Sequence, residues 1–368
     1  MNIICLQENL KQALNITEKI IGRNLTLPIL NNLLLLIENN KLKISSTNLE
    51  IGINSWVVGK VQNKGGITIP ARLLADFINN LPNEKVELKA NDKQLEIKCK
   101  KFKATLKGLP ADDFPIIPKI NNKSLIKIKG SLLKGGFSQV VDMASLSESR
   151  PEISGVYMKF DKSLIKLAAT DSFRLAEKNI DISDNSNDFK DCSIIIPQRT
   201  VQEINRILGE EETEVNIVLS GNQVLFDLGS TQVISRLIEG QYPDYQQIIP
   251  SNFQTQVIVN RSELINNIKI ASLFSGKIND IKVSIKSKKS SLEILSKNVD
   301  IGENKSVLEV KVEGDDVDII FNHKYFLDGL NNIFSDKVIL GLNDGSKPVV
   351  VRPVGDTSYT YVVMPIKV

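Results

Sequence analysis

The run Leu167-Ala168-Ala169-Thr170-Asp171-Ser172-Phe173-Arg174-Leu175-Ala176 reads as an apolar strand, a polar step and a second apolar strand. The same phrase stands earlier as Ile44-Ser45-Ser46-Thr47-Asn48-Leu49-Glu50-Ile51-Gly52, and later as Leu295-Ser296-Lys297-Asn298-Val299-Asp300-Ile301-Gly302. A second marker keeps step with it. Pro70-Ala71-Arg72, Pro197-Gln198-Arg199 and Asn322-His323-Lys324 each open an amphipathic stretch. The period is roughly 125 residues, far beyond the about 20–50 of a solenoid unit, so each copy is a domain in itself. A chain of 368 residues has room for three such cores.

Each copy follows one plan. A strand leads into a first amphipathic helix, expected over residues 8–21, 131–143 and 261–273. Apolar residues recur there at helical spacing. They are Leu10, Leu14, Ile16, Ile20 and Ile21 in the first copy, and Leu132, Leu133, Phe137, Val140 and Val141 in the second. In the third they are Leu264, Ile265, Ile268 and Ala271. A second helix starts at the Pro70, Pro197 and Asn322 markers. Proline suits a first helical position because its missing N–H would be unpaired there. Gly155-Val156-Tyr157-Met158-Lys159-Phe160 alternates as a strand, and Asn91-Asp92 and Gly221-Asn222 read as hairpin turns. Proline-bearing stretches near Pro118 and Pro250 separate the copies. The expected fold class is α+β. Three tandem domains, 1–121, 122–251 and 252–368, each set two helices against antiparallel sheets.

Composition excludes more than it proposes. A formal net charge of +3 is close to neutral and does not decide for or against a nucleic-acid partner. Cys5, Cys99 and Cys192 are dispersed and odd in number, as expected of inert thiols in a reducing cytoplasm. No secretory signal is read, and the longest apolar run, Leu33 to Ile37, falls far short of the roughly 18–20 residues of a membrane span. Gly65-Gly66 and Gly135-Gly136 open no phosphate loop. His323 is the one histidine and has no evident Ser or Cys partner. Glu210-Glu211-Glu212, and Glu313 with Asp315, Asp316 and Asp318, lack the ligand spacing of a calcium loop. No catalytic residue, metal or cofactor is expected.

The ordered motifs resemble the bacterial DNA polymerase III beta subunit, the sliding-clamp family, over the full chain. The matching stretches are Gly22-Arg23 with Thr26-Leu27-Pro28-Ile29-Leu30, then Pro70-Ala71-Arg72, then Leu109-Pro110-Ala111-Asp112-Asp113-Phe114-Pro115. Next come Ser149-Arg150-Pro151 with Gly155-Val156, and Ala169-Thr170-Asp171 with Arg174-Leu175-Ala176. Tyr242-Pro243-Asp244-Tyr245 and Tyr361-Val362-Val363-Met364-Pro365 complete the series. The resemblance implies a head-to-tail homodimer of six clamp domains closed around duplex DNA, a processivity factor with no catalytic role. It places the dimer seam at Ala104 and Leu106 of one subunit against Leu273 and Phe274 of the other.

By the same resemblance DNA is met through phosphates, without sequence preference, by Arg23 and Arg72 and more loosely by Arg150 and Arg199. Lys11, Lys19, Lys134, Arg206, Arg261, Lys269 and Lys324 are further candidate lining cations. The family holds short peptides of the replicative polymerase and the clamp loader, of a Gln-x-x-Leu-Phe-like pattern, in a cleft between its second and third domains. The matching residues are Ile153, Thr170, Ser172, Phe173, Arg174, Leu175, Pro243, Gln247, Ile248, Val362, Val363, Met364, Pro365 and Ile366. Ser172-Phe173 stands where Gly-His is common and Gln247 where Arg is common, which implies less weight on acidic peptide residues. A three-domain peptide-binding scaffold that never encircles DNA is the alternative, and a monomer in solution would favour it.

Overall fold

The computed structural model describes residues 1–22, 26–91, 93–120, 126–147, 149–183, 191–209 and 213–367. Among them a strand runs directly into an α-helix six times, at equivalent places in each sequence copy. In the first copy Asn2–Leu6 enters α1 (Gln7–Thr17) and Gly66–Pro70 enters α2 (Ala71–Asn79). In the second, Ile126–Lys129 enters α3 (Gly130–Val140) and Cys192–Pro197 enters α4 (Gln198–Ile207). In the third, Thr255–Asn260 enters α5 (Arg261–Ser272) and Val317–Asn322 enters α6 (His323–Asn331).

The helical stripes become the buried faces. Leu10 and Leu14 on α1, Leu133, Phe137 and Val140 on α3, and Leu264, Ile268 and Ala271 on α5 are all buried. Leu132 departs from the expectation at 47% exposed. A stripe through Leu133, Phe137 and Val140 leaves its neighbour about 100° around the helix, facing out. The prolines also sit one position earlier than expected. Pro70 has φ −51° and ψ 118° and caps α2 from outside, and Pro197 is the last residue of its strand. There the fixed φ suits the corner, and a strand loses only a terminal donor. At the third corner Asn322 caps α6, its side-chain oxygen accepting from the Lys324 N–H at 3.0 Å.

The first residue of one helix ties down the end of its partner in every copy. Gln7 Nε2 donates to the Ile78 carbonyl at 2.8 Å, and Gln198 Nε2 to the Val141 carbonyl, just past α3, at 3.0 Å. Arg261 donates through Nη1 to the Leu330 carbonyl at 3.3 Å and through Nε to the Ser335 carbonyl at 3.1 Å. Ile78 and Leu330 lie in the last turns of α2 and α6, whose carbonyls have no intrahelical partners.

The chain folds as two compact units. One is Met1–Ser131 with Arg206–Leu237, whose described strands form a single sheet of twelve. Within it, strand Ile51–Asn63 of the first copy pairs with Thr231–Arg236 of the second, Ile53 opposite Val233. The other is Leu132–Asn205 with Ile238–Val368, whose described strands form one sheet of nine and one of four. Within it, Arg174–Asp181 of the second copy pairs with Tyr359–Val363 of the third, Leu175 opposite Val362. α6 approaches that sheet closely: a Cβ on Gly329 would lie 2.2 Å from the Tyr361 ring.

Candidate functional site

The phrase that marks the repeat folds twice into the same turn, closed by its own side chains. In the second copy Thr170 Oγ1 donates to the Arg174 carbonyl at 2.7 Å and accepts from the Ser172 N–H at 3.1 Å. Asp171 Oδ1 accepts from the Phe173 and Arg174 N–H groups at 2.9 and 3.0 Å. In the first copy Thr47 Oγ1 donates to the Ile51 carbonyl at 2.9 Å and accepts from the Leu49 N–H at 3.0 Å. Asn48 Oδ1 accepts from Glu50 and Ile51 at 3.0 and 2.7 Å. Leu49 and Ser172 take the left-handed conformation at φ 75° and 78°. The third copy carries Lys297 where the others have threonine. There Asn298 Oδ1 keeps only the Asp300 N–H, at 2.9 Å, and Gly302 takes the positive φ instead.

The second-copy turn borders a small depression with an empty volume of about 290 Å³. Thr170, Ser172, Arg174, Leu175, Ile248, Val362 and Met364 line it, with Tyr245, which sequence reasoning did not assign to the cleft. Ile153 packs beneath, in one cluster with Leu175, Tyr242, Tyr245 and Val362. Ile248 is 49% exposed and Met364 half-buried, so the apolar lining stays accessible. Val363 alternates to the other side of its strand and is fully buried. Pro365 is buried, and the Ile366 N–H donates to the Ile320 carbonyl at 2.8 Å, which seats the chain's end on strand Val317–Asn322. Pro243 is half-buried, and Gln247 Nε2 is turned back to Asp244 Oδ2 at 2.7 Å.

Arg174 is the electrostatic centre of this region. Its Nε donates to Asp171 Oδ2 at 2.9 Å, its Nη1 to Asp328 on α6, and its guanidinium lies 4.8 Å from the Tyr325 ring centroid. Burial pulls its pKa down, but Tyr361, Asp171 and Asp328 outweigh that, and the net shift is upward. Phe173, 58% exposed, stacks on Tyr325 at 6.0 Å between centroids. Tyr325 and Asp328 had no signal in the sequence, because α6 and this turn are far apart in the chain.

The cations divide by role. Arg23 lies outside the described residues. Arg72 and Arg199 are exposed at the second residue of α2 and α4, and Lys324 takes the same place on α6. Arg150 is held by Glu152 and by Ser172 Oγ, each at 3.0 Å. Arg206 donates to the Asn15 and Ile16 carbonyls near the end of α1 at 3.1 and 2.9 Å, so Arg206 and Arg261 both hold helix ends. Of the seam residues, Leu273 is 71% exposed after α5 and Phe274 half-buried beside it. Ala104 is half-buried and Leu106 only 8% exposed, on strand Phe102–Lys107. Among the described residues no group of His, Cys, Asp and Glu could hold a metal ion, and no helix is long and apolar enough to cross a membrane.

A thrice-repeated strand–helix domain, sheets shared by successive copies and a shallow apolar pocket define a clamp-domain binding protein. Family models for the N-terminal, central and C-terminal domains of the DNA polymerase III beta subunit match residues 1–118, 127–244 and 246–367. The chain belongs to that family, the bacterial beta sliding clamps. Its function is that of a sliding clamp in DNA replication, a processivity subunit that catalyses nothing. It is 30% identical to the beta sliding clamp of Synechocystis sp., over 100% of this chain and 99% of the relative. It is 30% identical to that of Staphylococcus aureus, over 96% of each. A solved Pseudomonas aeruginosa sliding clamp bound to griselimycin matches with a TM-score of 0.95 at 27% identity over the whole of both chains. The Bacillus subtilis clamp matches at 0.94 and 28%, over 100% of this chain and 99% of that one.

Proposed function

We propose that two copies of this chain, each of domains 1–121, 122–251 and 252–368, close head-to-tail around duplex DNA in the cytoplasm. The ring carries the replicative polymerase and the clamp loader on peptides seated in the pocket beside Thr170 and Met364. The observation that carries this reading is a pair of open sheet edges. Strand Phe102–Lys107 is one end of the twelve-stranded sheet and strand Gly302–Glu309 one end of the four-stranded sheet, each with no described strand on its outer side; Ile126–Lys129 and Val317–Asn322 are the other ends of those sheets. Such edges are usually blunted, because they invite pairing with another chain. Here exposed apolar groups, Phe102 at 40% and Val307 at 58%, stand among exposed charges such as Lys103 and Lys305. Leu273 belongs to the second edge, because Asn298 Nδ2 at the tip of that strand pair donates to the Ser275 carbonyl at 3.3 Å. Two unlike edges on one chain suit a heterologous contact that closes after two copies.

Arg72, Arg199 and Lys324 support the DNA reading on physical grounds. A cation in the first turn of a helix opposes the macrodipole at a cost of about 0.3–1 kcal/mol. Exposed cations at the equivalent starts of α2, α4 and α6 suit an external anion, and the evenly spaced phosphates of duplex DNA are one. The test is topological. Loaded protein should stay on a nicked circle and leave once the circle is cut. Equal retention on open linear DNA would remove the ring and leave the peptide-binding scaffold.

A further inference from the structure

We infer that Glu177 is a positioning residue of the peptide cleft: it fixes Tyr245 and with it one wall of the pocket. The inference rests on the pocket being where a partner peptide binds. Leu175 and Glu177 are two apart on one strand and share a sheet face. Leu175 lies opposite Thr170 and Val362, and all three line the pocket. One row further in, Glu177 lies opposite Ala168 and Thr360. Tyr245, carried on the short 3-10 turn Tyr245–Ile248, spans both rows. Its ring joins the cluster of Leu175 and Val362, and its hydroxyl donates to Glu177 Oε2 at 2.7 Å.

The Glu177 side chain is only 11% exposed, and Lys166 Nζ stands 3.7 Å from the same oxygen, so its charge is compensated where it lies. An aromatic cluster brackets the ring. Tyr157 stacks on Tyr242 at 4.9 Å, and Tyr242 meets Tyr245 edge-on at 6.2 Å between centroids. The cluster blocks sliding of the ring, and the hydroxyl bond fixes its tilt over the sheet. A buried carboxylate is rarely the best residue for stability alone, since an apolar side chain of similar volume packs at least as well. What it adds is a wall already set in its bound geometry, which spares the peptide the cost of ordering it.

The test is a double-mutant cycle read by fluorescence anisotropy of a labelled Gln-x-x-Leu-Phe peptide, with dimer mass and melting temperature measured alongside. Glu177→Gln still accepts the hydroxyl and should bind within about twofold of the parent. Glu177→Val and Tyr245→Phe should each bind about three- to tenfold more weakly. The double variant should bind no more weakly than either single one, the signature of residues acting as a unit. Parental affinity in Glu177→Val, or losses that add in the double variant, would overturn the inference. Should Glu177→Val fail to fold, the Tyr245→Phe and Glu177→Gln pair carries the same decision: parental affinity in Tyr245→Phe overturns it. A parent chain that binds no peptide at all would refute the cleft itself and take this inference with it.

Discussion

Replacing Asp171 by alanine and by asparagine separates the two jobs that its carboxylate performs. One oxygen accepts the Phe173 and Arg174 N–H groups and so shapes the turn, while the other accepts Arg174 Nε. The first copy supplies the control, because Asn48 shapes the equivalent turn with an uncharged amide oxygen. Asp171→Asn should therefore keep the turn and lose one charge-assisted bond to an arginine that Asp328 still holds. That loss should cost about 1.5 kcal/mol, the low end for a bond to a charged group. Asp171→Ala loses all three bonds in a half-buried setting and should cost about 2–4 kcal/mol. For a unit of this size about 2–4 °C of melting temperature goes with each kcal/mol. The alanine variant should then melt roughly 4–16 °C lower and the asparagine variant roughly 3–6 °C lower by calorimetry. Peptide affinity should fall with alanine, because Phe173 and Ser172 lose their placement. Asparagine as damaging as alanine would refute the turn argument and assign the stability to the ion pair.

Leu273→Ala with Phe274→Ala should give folded monomers by sedimentation, since large apolar truncations in a packed contact cost about 2–5 kcal/mol. A dimer persisting at nanomolar concentration would move the seam elsewhere. Arg72→Ala and Arg199→Ala should weaken DNA engagement equally on all sequences and flatten the salt dependence by roughly one counterion each. A loss confined to particular sequences would mean base reading. Deleting Met364 to Val368 removes one pocket wall and the backbone bond from Met364 N–H to the Phe173 carbonyl at 2.8 Å. Peptide binding should fall at least about tenfold with dimer mass unchanged, as expected when a buried anchor contact is lost. Undiminished binding to the truncated dimer would place the partner site elsewhere.

Local signals were legible and long-range ones were not. The first helix of the third copy follows the apolar stripe of Leu264, Ile268 and Ala271, because helical period and burial coincide there. Leu132 misled because the buried line of α3 runs through Leu133, Phe137 and Val140, and the sequence alone does not say which of two adjacent leucines stands on it. Pro70 and Pro197 marked the right corners one residue early, since a fixed φ near −65° is compatible both with a helix start and with the strand end before it. The carbonyl partners of Arg206 and Arg261 lie far away in the chain, and no local pattern announces them. The pocket lining lies on the motifs, while Tyr325 and Asp328 meet the second-copy turn from the third copy, and Glu177 meets Tyr245 68 residues further along its own copy.

The twice-used turn separates shape from display. Its backbone path is dictated by a threonine and an Asx residue, so the two residues at its tip are free to differ. One copy shows Leu49 and Glu50, the other Ser172 and Phe173, on closely similar backbones. The free choice is limited at one place, since Leu49 and Ser172 carry a Cβ in a left-handed conformation that costs roughly 1–2 kcal/mol and that glycine would adopt without strain. What such a turn presents can thus be rewritten by changing two side chains, without refolding anything behind them. In this chain the serine bears that conformational cost at the rim of the pocket, where its hydroxyl also holds Arg150.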